Sequence, residues 1–221
     1  MKIDLHLHTI YGSSCAYMEP EQLIACATKI GLGGICITEH DQVWGEERIA
    51  DLNKKHDLLI IGGVEVSTDL GEVLVFGFHE SVMKISTAAN LRERVDAVGG
   101  VMIPAHPFRL EPDMIQAHVA ARQEDPDTPT EQFLSAVQRP LFKLADAIEI
   151  YNGRSGRNEI AFATSVADYL GLKGTGGSDA HATIGVGACC TVFENTIADE
   201  AEFIGHIKEG LFHGIDERWE N

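Results

Sequence analysis

The chain has 221 residues and a formal net charge of −17, with 44% hydrophobic and 23% charged residues. These values suit one globular domain and exclude a disordered chain. The acidity argues against a surface that neutralises nucleic-acid phosphates with Lys and Arg clusters, although bound divalent cations would still permit a small anionic substrate.

The first predicted element is a β-strand at the amino terminus. Apolar and polar residues alternate from Ile3 to His8, which is the period of a strand, and this places His6 and His8 on one face. Neutral imidazole is the commonest protein ligand for zinc and similar metals. The same short segment is equally consistent with a half-exposed strand whose two histidines contact only water.

The rest of the chain alternates between helical and strand-like segments. Helices are predicted at 20–30, 43–55, 86–98, 157–170 and 199–209, and strands at 34–38, 58–66, 72–78, 101–106, 147–152, 173–178 and 188–193. Residues 108–143 hold two helical patterns around a turn-rich break at 125–129, and we interpret them as an insertion or lid. The alternation predicts a single α/β domain over 1–221 with parallel strand pairing.

Acidic or histidine side chains follow six of the predicted strands. They are His6 and His8, His40, Glu65, His79, His106, and Asp179 with His181. An open sheet gathers only a few such residues at one crevice, whereas a β/α barrel collects all its strand ends on one face. The pattern therefore favours a barrel.

These side chains have the composition of a metal site. As separate buried groups each would need its own partner, at a cost of about 1–3 kcal/mol for every one left unpaired, whereas divalent cations satisfy them together. Imidazole and carboxylate ligands suit zinc, manganese or iron, and more than four ligands imply at least two ions. The five cysteines form no CxxC pair, and their odd number argues against a disulfide framework.

Five ordered motifs resemble those of the PHP (polymerase and histidinol phosphatase) family. They are DLHLHT at 4–9, TEHD at 38–41, GVEVS at 63–67, AHP at 105–107 and GGSDAH at 176–181. The resemblance covers the chain apart from 108–143. It implies a distorted seven-stranded β/α barrel with two or three ions at the carboxyl ends of its strands.

The resemblance also implies a ligand set. The first ion would be held by His6, His8, Glu65 and Asp179; the second by Glu65, His79 and His106; and the third by His40 and His181. The family commonly supplies a further Asp or His from the loop after His8, where this chain has Ser13, Ser14 and Cys15. The number of ions is therefore left at two or three.

Such a site predicts hydrolysis of small phosphomonoesters, of the histidinol phosphate or nucleotide type. The attacking group would be a hydroxide bridging the ions held by Glu65 and Asp179, because paired cations lower the pKa of bound water. Arg109 and Arg154 follow strand ends, where they would bind phosphate oxygens or remain exposed loop residues. Asp4, Glu39 and Asp41 are expected to orient the imidazoles.

Three other functions remain open at this stage. A nuclease acting on nucleic-acid ends belongs to the same resemblance, but the charge of −17 counts against it. An amidohydrolase-type enzyme also has an HxH strand, although it often bridges its ions with a modified lysine, and no lysine lies at a strand end here. A non-catalytic module is the third possibility. Cysteine usage and the amino-terminal sequence predict a soluble cytoplasmic protein without a membrane segment.

Overall fold

The computed structural model describes residues 1–125 and 128–219, apart from the side chain of Trp219. Its strands are β1 Lys2–Leu7, β2 Gly34–His40, β3 Leu59–Thr68, β4 Gly71–Phe76, β5 Val101–Pro104, β6 Ile148–Asn152, β7 Gly174–Gly177, β8 Cys189–Phe193 and β9 Phe212–Asp216. Its α-helices are α1 Pro20–Lys29, α2 Glu46–Lys55, α3 Ala88–Val98, α4 Pro112–Glu124, α5 Glu131–Val137, α6 Arg157–Leu170 and α7 Glu200–Glu209. This is a mixed α/β fold.

Seven strands form one sheet in the order β5-β4-β3-β2-β1-β8-β9, and β6 and β7 form a second. The predicted parallel pairing holds for β1–β2, β2–β3 and β6–β7. It is wrong for β3–β4, β4–β5, β1–β8 and β8–β9, which are antiparallel. Only residues 69–70 separate β3 from β4, which is too short for the crossover that a parallel pair requires.

The second sheet is joined to both ends of the β1–β5 segment of the first sheet. Leu7 forms a parallel bridge with Ala180, just beyond β7. On the other side, the amide of Asp146, just before β6, donates to the carbonyl oxygen of Met102 in β5 at 2.9 Å. Gly177 permits the close approach of β7 to β1, because a Cβ atom there would lie 2.5 Å from the Cβ of His6.

The helices form for local reasons that the sequence also carries. Pro20 occupies the first turn of α1, and the side chains of Glu19 and Gln22 form a capping box there. Gly99 and Gly171 end α3 and α6 in the left-handed conformation that glycine adopts without strain. No helix in the described part of the chain is long and apolar enough to cross a bilayer.

The predicted insertion at 108–143 contains α4, α5 and the start of a short 3₁₀ helix at Pro140–Leu144. Its aromatic residues pack on α6: the ring of Phe108 lies 4.8 Å, and that of His118 4.7 Å, from the ring of Phe162. The segment therefore shares a hydrophobic cluster with α6. Residues 126–127 of the predicted break lie outside the described residues.

Candidate metal centre

Histidines and carboxylates from distant parts of the sequence meet beside the ends of β1, β2, β5 and β7. The structure brings together seven of the eight predicted ligands, namely His6, His8, His40, Glu65, His106, Asp179 and His181. We call these seven residues the metal cluster. Glu65 is the seventh residue of β3 rather than its last, so this strand continues past the cluster.

Glu65 lies in the middle of the metal cluster, with only 2% of its side chain exposed. Its Oε1 atom lies 3.0 Å from His106 Nε2 and 3.4 Å from His6 Nε2. Its Oε2 atom lies 2.8 Å from His40 Nδ1 and 3.4 Å from His8 Nε2. One carboxylate thus faces four imidazoles.

Asp179 contacts the remaining side of the metal cluster. Its Oδ1 atom lies 3.3 Å from His8 Nε2, 3.5 Å from His181 Nδ1 and 3.7 Å from His6 Nε2. The ring of His8 packs between those of His40 and His181, at 4.3 Å from each. Contacts through Glu65, His8 and Asp179 therefore link all members of the metal cluster, from His106 at one side to His181 at the other.

The buried donors of this cluster fit a metal ion. Three buried atoms of the metal cluster have no hydrogen-bond partner, namely His6 Nε2, His8 Nε2 and Glu65 Oε2. Each of them nevertheless lies within 4 Å of another possible metal-ligand atom. Several sets of three ligand atoms lie within 4.8 Å of one another, among them His6–His8–Asp179 and His8–His40–His181. Neutral imidazole and carboxylate oxygen are suitable ligands for zinc, manganese and iron.

The charges of the metal cluster shift its pKa values strongly. Burial would lower the pKa of His6, but the carboxylates of Glu149, Glu65 and Asp179 outweigh it and raise that pKa well above its usual range. Burial would raise the pKa of Glu65, but the surrounding imidazoles lower it. For His8, burial dominates and lowers the pKa to about 4, which leaves this ring neutral. The carboxylates and imidazoles of this site therefore shift one another's pKa values.

The backbone is strained at two members of the metal cluster. His106 and Asp179 have φ angles of 27° and 51°, and Asp41, next to His40, has a φ of 52°. Residues with side chains rarely adopt such angles, and they persist where the surrounding structure enforces them, commonly at functional sites. Asp179 is held by a backbone hydrogen bond of 2.8 Å from its amide to the carbonyl oxygen of His6.

The structure contradicts the placement of His79 in this cluster. Because β4 runs antiparallel to β3, residues after its carboxyl end lie at the opposite end of the sheet. There His79 Nε2 lies 2.8 Å from Glu200 Oε2, and both residues line a separate cavity of about 780 Å³. The amino end of β4 is the one beside the metal cluster, and it carries Glu72.

The three predicted supporting carboxylates have different contacts. Asp4 accepts hydrogen bonds from the amides of Ser178 and Gly187, at 2.8 and 2.9 Å, so it joins backbone segments instead of orienting an imidazole. Burial raises its pKa to about 6. Asp41 likewise accepts from the Ser67 amide at 2.9 Å.

Glu39 is connected to His8 by hydrogen bonds through a serine. Its Oε2 atom accepts a 2.6 Å hydrogen bond from Ser13 Oγ, and that oxygen lies 3.1 Å from His8 Nδ1. The side chain of Thr9 also donates to Glu39. Ser13, in the loop where the family pattern has an acidic or histidine ligand, therefore contacts the far nitrogen of the His8 ring.

Glu149 is the buried carboxylate that the sequence analysis missed. Its Oε1 atom lies 3.0 Å from His6 Nδ1, and its Oε2 atom accepts from the His106 amide at 2.9 Å and from Asn152 Nδ2 at 3.0 Å. Such a partner fixes the orientation of a ligating imidazole. The sequence does carry a signal, because Glu149 interrupts the apolar run Ala147–Ile150, and in the fold its side chain is buried.

A cavity of about 600 Å³ opens onto the metal cluster. Both predicted arginines line it, together with Cys15, Glu72 and His181. Arg109 donates from one Nη atom to Asn152 Oδ1 at 2.6 Å and to Asp179 Oδ2 at 2.5 Å. Two guanidinium groups therefore share a cavity with the acidic and imidazole ligands.

Comparison with known proteins agrees with this geometry. A family model described as the PHP domain matches residues 4–128, which is more than half of the chain, and a PHP-associated model matches residues 159–211. The chain belongs to the PHP family. Membership makes the protein a metal-dependent hydrolase, and the His, Glu and Asp groups described above fit that dependence.

Two related sequences and one solved structure illustrate the similarity. An uncharacterized protein of Methanocaldococcus jannaschii is 27% identical over 117 residues, which are 49% of this chain and 68% of that protein. An error-prone DNA polymerase of Nocardia farcinica is 28% identical over 126 residues, or 57% of this chain, but only 10% of the polymerase. A two-domain protein from Bacteroides vulgatus, described as containing a predicted PHP-like metal-dependent phosphoesterase, superposes with a TM-score of 0.70 at 17% identity, covering 98% of this chain and 64% of that one.

Proposed function

We propose that this PHP protein hydrolyses small-molecule phosphomonoesters, of the histidinol phosphate or nucleotide type. The observation that carries the proposal is the shared cavity, in which Arg109 and Arg154 face a cluster of metal-binding side chains. Guanidinium groups bind phosphate oxygens in a bidentate manner. A volume of about 600 Å³ suits a small substrate.

The proposed cofactors are two or three ions of zinc, manganese or iron, held by the metal cluster, with Glu65 and Asp179 as the shared carboxylates. When bound, such ions lower the pKa of water and stabilise charge on phosphoryl oxygens. Glu149 and Ser13 hold the far sides of the His6 and His8 rings. Arg109 lies between Asn152 and Asp179, where its position is fixed for an anion in the cavity.

The proposal includes a distorted barrel in which β1 to β7 form the closed wall and β8 and β9 extend from β1. Two contacts support this closure. One is the bridge from Leu7 to Ala180, and the other is the hydrogen bond between Asp146 and Met102. Such a wall accounts for the convergence of residues from β1, β2, β3, β5 and β7 on one cavity.

A substrate panel tests the function directly. Protein loaded with Mn²⁺ or Zn²⁺ is expected to release phosphate from histidinol phosphate, from a nucleoside monophosphate or from an aryl phosphate. Chelation should abolish that release, and added metal should restore it. Shortening of single-stranded oligonucleotides without monoester turnover would favour a nuclease, and turnover of amides or lactones alone would favour an amidohydrolase. Metal-loaded protein with no turnover at all would contradict the proposal.

The two arginines should differ from surface arginines in their effect on catalysis. Arg109→Gln and Arg154→Gln are each expected to lower kcat/KM for a phosphomonoester by about tenfold or more, since a hydrogen bond to a charged group contributes about 1.5–3 kcal/mol. Arg94→Gln is the matched control, because Arg94 pairs with Glu80 away from the cavity. Equal activity of all three variants would mean that neither Arg109 nor Arg154 binds the substrate phosphate.

Activity should also depend on pH through the metal ligands. Imidazole binds a metal in its neutral form, so protons compete with the cations as the pH falls. Metal content and activity are expected to fall together as the pH drops through about 6. Metal analysis after equilibration at each pH, alongside the rate, checks this. Loss of activity with unchanged metal content would place the titrating group elsewhere.

A further inference from the structure

The antiparallel course of β4 brings an acidic residue to the metal cluster that the sequence motifs do not include. Glu72 is the second residue of β4 and pairs with Ser67 of β3, two residues beyond Glu65. On its other side, the carbonyl oxygen of Glu72 accepts from the amide of Ala105 at 2.9 Å, which places it next to His106. Both neighbouring strands therefore fix the position of Glu72 at the cavity.

The side chain of Glu72 completes a group of ligand atoms. One Glu72 carboxylate oxygen, one Glu65 carboxylate oxygen and one His40 ring nitrogen lie within 4.8 Å of one another. Glu72 Oε2 also lies 3.7 Å from His106 Nε2. His40, Glu65 and Glu72 lie on three different strands, β2, β3 and β4, and His106 lies two residues after β5.

A second observation concerns the Oε2 atom of Glu65, which belongs to this group of ligand atoms. The Oε2 atom of Glu65 is buried and has no hydrogen bond, although His40 Nδ1 is only 2.8 Å away. The side chain of Glu65 is 2% exposed, so water does not readily solvate this oxygen. A buried carboxylate oxygen without a hydrogen bond is costly, and a cation between Glu65, Glu72 and His40 would satisfy it.

We propose that Glu72, which the sequence analysis did not select, is a metal ligand of this protein and holds an ion together with Glu65 and His40. This inference rests on the proposed metal-dependent function. Glu65 and Glu72 together supply two negative charges for one divalent cation. Oxygen-rich sites favour manganese over zinc, so this position should prefer Mn²⁺. The side chain of Glu72 is 41% exposed, which leaves one side of the ion open to the cavity.

Metal binding without substrate tests the assignment. The 221-residue chain, stripped of metal by a chelator, is titrated with MnCl₂ by calorimetry, and the Mn²⁺ retained after dialysis is counted. Glu72→Gln is expected to lose one bound ion or to weaken the weakest Mn²⁺ site at least tenfold. His79→Gln is expected to bind Mn²⁺ like the unaltered protein. The opposite pattern, or equal binding by Glu72→Gln and the unaltered protein, would overturn the proposal.

Two further measurements exclude trivial explanations. Glu111→Gln removes one negative charge from the adjoining cavity, where Glu111 pairs with Arg139, so it should leave Mn²⁺ binding unchanged. A similar loss in Glu111→Gln would assign the effect to general charge and contradict ligation. Circular dichroism of the stripped variants checks folding. Should Glu72→Gln be unfolded, Glu72→Asp keeps the charge with a shorter reach, and unchanged affinity in that variant would also contradict ligation.

The test separates this inference from the proposed function. Protein that binds its full number of ions through Glu72 but hydrolyses no phosphomonoester would contradict the function and leave the ligand assignment intact. Active protein whose Mn²⁺ binding is unaffected by Glu72→Gln would contradict the ligand assignment and leave the proposed function intact.

Discussion

Replacement of Glu65 by glutamine is expected to lower phosphomonoester turnover by more than about 100-fold, which exceeds the 10–100-fold loss that removal of an outer partner of a metal ligand causes. The physical reason is that both oxygens of Glu65 face imidazoles of the metal cluster, so an amide would remove a charge and direct an NH₂ group at them. Metal content should fall in parallel. Steady-state kinetics and metal analysis of the same preparation provide the measurement.

Glu200→Gln is the matched control for this variant. Glu200 also pairs with a histidine, since its Oε2 atom lies 2.8 Å from His79 Nε2, but the pair lines the other cavity. Its replacement should leave turnover and metal content within about twofold of the unaltered protein, a difference of less than ~0.5 kcal/mol. If the two glutamine variants behaved alike, Glu65 would have no special role.

Replacement of Glu149 by glutamine should weaken metal binding about 10–100-fold, although Glu149 is outside the motif set. Three donors point at its carboxylate, from His6 Nδ1, the His106 amide and Asn152 Nδ2. A glutamine side chain has one oxygen acceptor and would turn its NH₂ group towards at least one of them. The free energy of unfolding should fall by about 1–3 kcal/mol for the buried donor left unpaired.

Glu159→Gln is the control for Glu149. It lies on the neighbouring helix α6, where its carboxylate is only partly buried and accepts from Ser155 Oγ. Metal affinity from calorimetry and stability from chemical denaturation should both stay near the values of the unaltered protein. A Glu149→Gln variant with unchanged metal affinity and unchanged stability would mean that orientation of His6 does not depend on this carboxylate.

The sequence predicted most of the metal cluster because its ligands sit in short motifs at strand ends. The α/β class and the helix at 157–170 followed from periodicity and from the glycine that ends the helix. The positions of His79 and Glu72 could not be predicted in this way. They depend on strand direction, which the two-residue connection between β3 and β4 decides and which the motif pattern ignores.

The strand-end pattern did not identify all the residues that support the metal cluster. Glu149 lies within β6 instead of at its end, so the rule that placed ligands at strand ends did not select it. The sequence analysis predicts that Asp4, two residues before His6, orients an imidazole. In the fold it contacts the backbone of Ser178 and Gly187, because β7 and the segment before β8 pack against β1 there.

Anomalous diffraction from crystals of Mn²⁺-loaded protein with phosphate bound tests the central claim most directly. We expect two or more anomalous peaks among His6, His8, His40, Glu65, His106, Asp179 and His181, with phosphate oxygens near Arg109 or Arg154. Data that placed no ion among these side chains, or only ions elsewhere on the protein, would contradict the account.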